Sequence, residues 1–389
     1  MTEAQANKNN VRRKRIDSID IMRGLVILIM MVDHVRDMFY LQHKVSDPLN
    51  IDVIPTALFF TRSLAHLCAP SFILLAGLSA WLYAHPTSGE IRSPSRFLFT
   101  RGLFLVVLEI TVIAIAWNVS PIPKNIWLQV IWATGLSMMA LAVLVHIPRW
   151  PLFALGLIIV FGHNLLTPIS FDTSESGYIL WTILHDRGYL LSDSFVNIYV
   201  SYPVLPWIGV IVLGYSLGPI YSQLFSPDSR RKILFFLGLG CLLLMLLLRS
   251  FNIYGETLSW EYSDSIVKSV MSFINYTKYP PSLLFLLLTL GICFLILPRL
   301  ENVENMLTRV LKVFGSAPMF VYILHLYLLV LAKVLTTLVL NPGSGEQIGF
   351  YSVLGIWSGG ILLMISSYYP TKKFATYKRN SKKWWLRYL

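Results

Sequence analysis

The sequence predicts an all-α membrane protein, a polytopic helical bundle of about ten transmembrane helices with both termini cytoplasmic. Three observations point there. Hydrophobic residues make up 55% of the 389 residues and charged residues only 13%, against about a quarter charged in soluble domains. Apolar stretches of about 18 to 25 residues recur along the chain, each long enough to cross a bilayer. Lys and Arg favour alternate connections between those stretches, as the positive-inside rule requires.

The apolar runs lie near residues 19–40, 57–83, 97–117, 125–147, 150–167, 202–221, 232–249, 281–298, 314–340 and 349–369. The first is too long and too charged for a cleavable signal peptide and has no small-residue cleavage site, so it reads as a retained helix. Only Pro148 and Arg149 part the fourth run from the fifth, which makes a tight helical hairpin. Segments 170–199 and 250–279 are too polar to span and read as caps with short interfacial helices. Arg12, Arg13, Lys14 and Arg15, then Arg92, Arg96 and Arg101, then Arg149, mark one side of the membrane. Arg230, Arg231, Lys232, Arg299, Arg309, Lys312 and the basic tail fall on the same side, the cytoplasmic one. Residues 1–18 thus form a basic cytoplasmic N-terminus, 19–369 the transmembrane domain and 370–389 a basic cytoplasmic tail.

The net charge of +12 raises the question of nucleic acid. The basic residues sit where membrane topology needs them, so the partner read from this charge is the lipid bilayer and not a nucleic acid. Cys68, Cys241 and Cys293 all lie inside apolar runs without metal-type spacing, as small buried hydrophobes do. No disulfide framework, phosphate loop, dinucleotide fingerprint or metal site is expected.

Function is concentrated in the first run, which carries Arg23, Asp33, His34, Arg36 and Asp37. An Asp, Lys or Arg costs roughly 2.5 to 3.5 kcal/mol at a helix centre, so an anchor would not keep such groups. His34 lies in the outer half of this helix, and Arg62 and His66 lie at similar depth on the next. Asp33 and Asp37 share a helix face, as do Arg62 and His66, and Glu109 of the third run falls at comparable depth. These groups are expected to form one outward-opening polar pocket. The competing reading is a structural network in which Asp33 pairs with Arg62 and the histidines satisfy buried backbone.

Arg23 precedes His34 by about three helical turns, so the two share a face about 16 Å apart. That face offers a phosphate-type ligand near the cytoplasm and a base further out, unless Arg23 only snorkels to the headgroups. Proline-rich segments at Tyr202 to Trp207 and Lys278 to Ser282 open the sixth and eighth runs. Gly214 and Gly218 permit close helix packing. His325, alone in the ninth run after Gly315-Ser316-Ala317-Pro318, reads first as a satisfied core residue.

Several segments carry a family resemblance. Residues 15–24, Arg-Ile-Asp-Ser-Ile-Asp-Ile-Met-Arg-Gly, resemble the opening of the catalytic domain of the heparan-α-glucosaminide N-acetyltransferase family and its bacterial relatives. The segment from Arg62 to Gly77, Arg101-Gly102-Leu103-Phe104, Tyr202 to Gly209 and Lys278 to Leu283 are similar to the bacterial branch. The spacing of Arg23 and His34 also resembles bacterial membrane acyltransferases that O-acetylate surface polysaccharides. The resemblance implies an integral-membrane acyltransferase in the cytoplasmic (inner) membrane. Its donor would be cytoplasmic acetyl-CoA, or another acyl-CoA, and its acceptor a glycan or small polar envelope molecule on the outer side.

In this reading His34 is the general base, supported by Asp33 or Asp37. Arg62 and His66 stabilise developing charge or orient the acceptor, and Arg23 and Arg101 hold CoA phosphates. The heparan enzyme has an asparagine where His34 stands and its histidine in the following loop, where His43 lies in this chain. The acid/base candidates are therefore His34, His66 and His43, in that order. An oligomer is compatible with the sequence. A proton-coupled transporter or flippase of a small polar molecule is the rival from another class, and a scaffold with a polar packing layer is the third reading.

Overall fold

The computed structural model describes residues 16–41, 46–86, 90–340 and 348–389. The chain is mostly helical. Helix α1 spans Asp17–Phe39, and α2 (Thr56–Leu64) passes through a 3-10 turn at Ala65–Leu67 into α3 (Cys68–Ala84). Helix α4 (Ser95–Leu108) continues through a π turn at Glu109–Ile113 into the short α5 (Ala114–Asn118). Strand β1 (Asn125–Leu128) precedes α6 (Val130–Leu144), and α7 covers Arg149–Gly162. Then come α8 (Tyr178–Leu184), β2 (Gly188–Leu191), β3 (Asn197–Val200) and α9 (Leu205–Ser216). The remainder is α10 (Pro227–Ser250), α11 (Ile266–Phe273), α12 (Leu283–Arg299), α13 (Met306–Ser316), α14 (Pro318–Leu340) and α15 (Val353–Asn380).

Six helical stretches among the described residues are long and apolar enough to cross a membrane: Thr56–Ala84, Ser95–Asn118, Arg149–Leu166, Pro227–Ser250, Pro318–Leu340 and Val353–Asn380. The chain is a multi-pass membrane protein. Helices α6, α9 and α12 are apolar but shorter. Helix α1 has the length but carries too many charges to qualify by composition, and its surroundings explain how it keeps them. It packs against α3, α12, α13, α14 and α15, and Asp33, His34 and Arg36 are all buried. Asp33, His34 and Arg36 thus face protein, the arrangement that charged groups at membrane depth require.

Small residues let the inner helices meet at backbone distance. A Cβ added at Gly24 of α1 would lie 2.0 Å from the Leu311 carbonyl oxygen of α13, and one at Gly214 of α9 would lie 2.1 Å from that of Leu74 in α3. The second contact is the close packing expected of Gly214.

Local sequence misjudged three places. The run 314–340 divides at Ala317, because Pro318 opens α14 and cannot continue α13. Helix α13 is instead an amphipathic element fixed by a capping box, Thr308 N–H to Asn305 Oδ1 at 2.8 Å and Asn305 N–H to Thr308 Oγ1 at 3.0 Å. The run 125–147 starts as a strand, with Gln129 extended before α6. The cap at 170–199 holds strands as well as a helix. β1 pairs parallel with β3, and β2 pairs antiparallel with it, in the order β1-β3-β2. Four-residue strands draw their stability from partners distant in sequence, which local periodicity does not report.

Candidate functional site

Helix α1 orders the site along its length. Its proximal end, where the helix begins, carries Arg23. The guanidinium donates to Ser79 Oγ at 2.5 Å and to the Leu75 carbonyl at 3.2 Å, both on α3, and pairs with Asp20 at 3.4 Å. It therefore faces the bundle. Arg23, Ser79, Arg101 and Lys378 line a cavity of about 550 Å³ whose apolar wall includes Met30, Phe72 and Met138. The same cavity is lined by Tyr322 of α14, whose ring packs edge-on against His34 with centroids 5.8 Å apart. Tyr322 is thus shared between the cavity and His34.

His34 is buried three turns further on. Its Nδ1 lies 2.7 Å from Nε2 of His325 on α14, and Trp117 of α5 packs edge-on at 5.1 Å. Nδ1 of His325 lies 2.8 Å from the Val321 carbonyl oxygen, and His325 is 0% exposed. The ring partner of His34 is this second imidazole, not Asp33 or Asp37 as the sequence suggested. Those carboxylates pair with arginines instead. Asp33 pairs with Arg36 at 2.8 Å and with Arg62, while Asp37 pairs with Arg36 at 2.7 Å.

Arg62, on α2, also donates to Tyr279 Oη at 3.4 Å, and Tyr279 Oη lies 3.3 Å from Tyr202 Oη. The buried Lys278 stands over the Tyr279 ring at 5.1 Å and the Tyr202 ring at 5.9 Å. The two proline-rich segments therefore converge on Arg62, a meeting that neither segment announces alone. His66 is buried in the 3-10 turn between α2 and α3, with its ring 5.2 Å from Phe285. Asp47, in the connection outside the helices, accepts the Tyr279 N–H at 2.9 Å and the Lys278 N–H at 3.1 Å. Burial raises its carboxyl above the ordinary range, opposed by the charges of Lys278 and Arg62 and by these two N–H groups.

Glu109 has a different task from the one its depth suggested. It opens the π turn, and its Oε2 accepts the Trp132 N–H at 3.2 Å in the first turn of α6. Its carboxyl oxygen there satisfies an orphan donor at the start of the helix. His43 lies outside the described residues. No group of three or more His, Cys, Asp or Glu side chains able to hold a metal occurs among the described residues.

Arg23 and Arg101 line one cavity, while the ion pair of Asp33 with Arg62 is the one that the competing structural-network reading expects. His325 was undervalued. Its partner is 291 positions away, and only the presence of a histidine in an apolar helix hinted at a role. Chemically, the arrangement offers a cavity lined by cations and apolar side chains, joined through Tyr322 to a buried imidazole pair.

The model of the family described as heparan-alpha-glucosaminide N-acetyltransferase, catalytic, matches residues 15–254. No curated protein matches the chain.

Proposed function

Because the chain belongs to the heparan-alpha-glucosaminide N-acetyltransferase catalytic family, we propose that it is a membrane acyltransferase moving an acyl group, acetyl in the first instance, from acyl-CoA to a hydroxyl or amine of a glycan or other small polar acceptor. In this reading the proximal end of α1 is cytoplasmic, about ten helices span the inner membrane, and the acceptor approaches from the distal side. The observation that carries it is the cavity itself. Arg23, Arg101 and Lys378 supply cations for CoA phosphates, the apolar wall suits the pantetheine arm, and Tyr322 leads to His34.

The chemistry needs one base and stabilised charge. His34 takes the proton of the acceptor X–H as X bonds to the thioester carbonyl carbon. The C–S bond then breaks with its electron pair on sulfur, and the proton passes from His34 to the thiolate, releasing CoA–SH. Arg62, held by Asp33, and His66 beside it orient the acceptor or meet charge on the carbonyl oxygen. Purified protein incubated with radiolabelled acetyl-CoA tests this reading. Binding with slow hydrolysis or acyl transfer is expected of the wild type, and both reactions should collapse in His34→Ala. A folded wild type that neither binds nor turns over acetyl-CoA would overturn it, and solute transport without acyl transfer would favour a transporter.

A further inference from the structure

The hydrogen bonds of the imidazole pair leave one consistent arrangement of protons. The Val321 carbonyl can only accept, so the His325 nitrogen 2.8 Å away, Nδ1, carries a hydrogen. A ring 0% exposed is strongly disfavoured as a cation. With His325 neutral, its Nε2 has a lone pair and accepts the bond from His34 Nδ1 at 2.7 Å. His34 Nδ1 must then be protonated, and a neutral His34 has its lone pair on Nε2.

We infer that His325 is a positioning residue that fixes His34 in the Nδ1–H tautomer and so makes His34 Nε2 the basic atom of the site. The inference rests on the acyltransferase reading for its catalytic consequence, though not for the tautomer. The order of bonds, from Val321 carbonyl to His325 to His34, turns the electron-rich end of each group toward the next. When Nε2 takes a proton from the acceptor, the positive charge on His34 is met through Nδ1–H by an acceptor already in place. Val321 and His325 are four apart on α14, so a carbonyl already serving the helix uses its second lone pair to set the ring. Trp117 and Tyr322 hold the His34 ring from two edges. His325 does for His34 what the third member of a nucleophile–base–orienter set does for its base, without a carboxylate.

Two measurements test this. The first is 15N NMR of histidine-labelled wild type, with the His34 signal assigned by its loss in His34→Ala. A protonated Nδ1 and a bare Nε2 are expected, and the opposite tautomer overturns the inference whether or not the protein is an enzyme. The second compares His325→Phe and His325→Gln in acyl transfer and in acetyl-CoA affinity. Phe keeps a ring but no acceptor, and kcat should fall roughly 10²-fold or more at unchanged Kd. Gln can still accept from His34 Nδ1 through Oε1 and should recover most of that loss. His325→Phe added to His34→Ala should cost nothing further, because the two act as one unit. Wild-type-like turnover in His325→Phe refutes the positioning role, while an inactive wild type with the expected tautomer refutes only the enzyme reading. If His325→Phe loses acetyl-CoA binding as well, the tautomer measurement on the wild type decides.

Discussion

Gly24→Ala is the most direct probe of how the proximal end is held. The added Cβ would sit 2.0 Å from the Leu311 carbonyl oxygen, where ordinary contact begins at 3.4 Å. Backbone cannot rotate aside as a side chain can, so α1 and α13 must part by about 1.4 Å. Overpacking of this kind costs about 1 to 3 kcal/mol, offset by at most ~1 kcal/mol of helix propensity. Arg23 is the adjacent residue. A shift of this size breaks its 2.5 Å bond to Ser79 and moves its charge in the cavity, and misplacement by about 1 Å can cost 10² in rate. Gly240 is the control, since a Cβ there meets nothing within 4 Å. Thermal unfolding in detergent and acetyl-CoA affinity should both fall in Gly24→Ala and hold in Gly240→Ala. Equal values for the two variants would refute the argument that backbone contact places Arg23.

Other substitutions probe the remaining parts of the site. Arg23→Met and Arg101→Met should each weaken acetyl-CoA binding roughly 10- to 100-fold, the worth of one charge-assisted contact, read by equilibrium binding. Asp33→Asn should destabilise by about 3 to 5 kcal/mol, because Asp33 neutralises both Arg36 and Arg62. Arg62→Met should cost less in the same unfolding assay, as Asp33 keeps Arg36. Asp47 gives a pH signature. Its folded carboxyl titrates above the unfolded value of about 3.9, so the unfolded state gives up its proton first as pH rises. Stability should therefore decline from pH ~4 up to the folded titration point and level off beyond it. Asp47→Asn should lose that slope, as unfolding measured across the range will show.

The charges of α1 were legible because hydrocarbon tolerates them only where protein surrounds them, and the ion pair of Asp33 with Arg62 is the contact that the structural-network alternative expected of that layer. Arg23 was singled out by its place on the face of His34 and Arg101 by the family resemblance, and the structure lines one cavity with both. The pairing of His34 with His325 was not legible, since depth alone does not say which of several helices a face will meet. Glu109 was misassigned for a related reason. Its partner is the backbone at the start of α6, and a main-chain donor leaves no mark in side-chain spacing. Pro318 marked the start of α14 openly, but a continuous apolar run from 314 to 340 outweighed it in the hydropathy pattern.

The local ion pairs of α1 bear on how the protein is made. This helix leaves the ribosome before the helices that will wrap it, and α12 to α15 are translated more than two hundred residues later. Until α2 and α3 follow, its polar groups have only one another, and His34 lacks its imidazole partner longer still. Arg23 with Asp20, and Arg36 with Asp33 and Asp37, are within-helix pairs, so the segment carries its own counter-ions. His34, uncharged when neutral, can wait for α14 and His325. Membrane insertion and completion of the site are thereby separated in time, and the imidazole pair is assembled only once the C-terminal third of the chain has arrived.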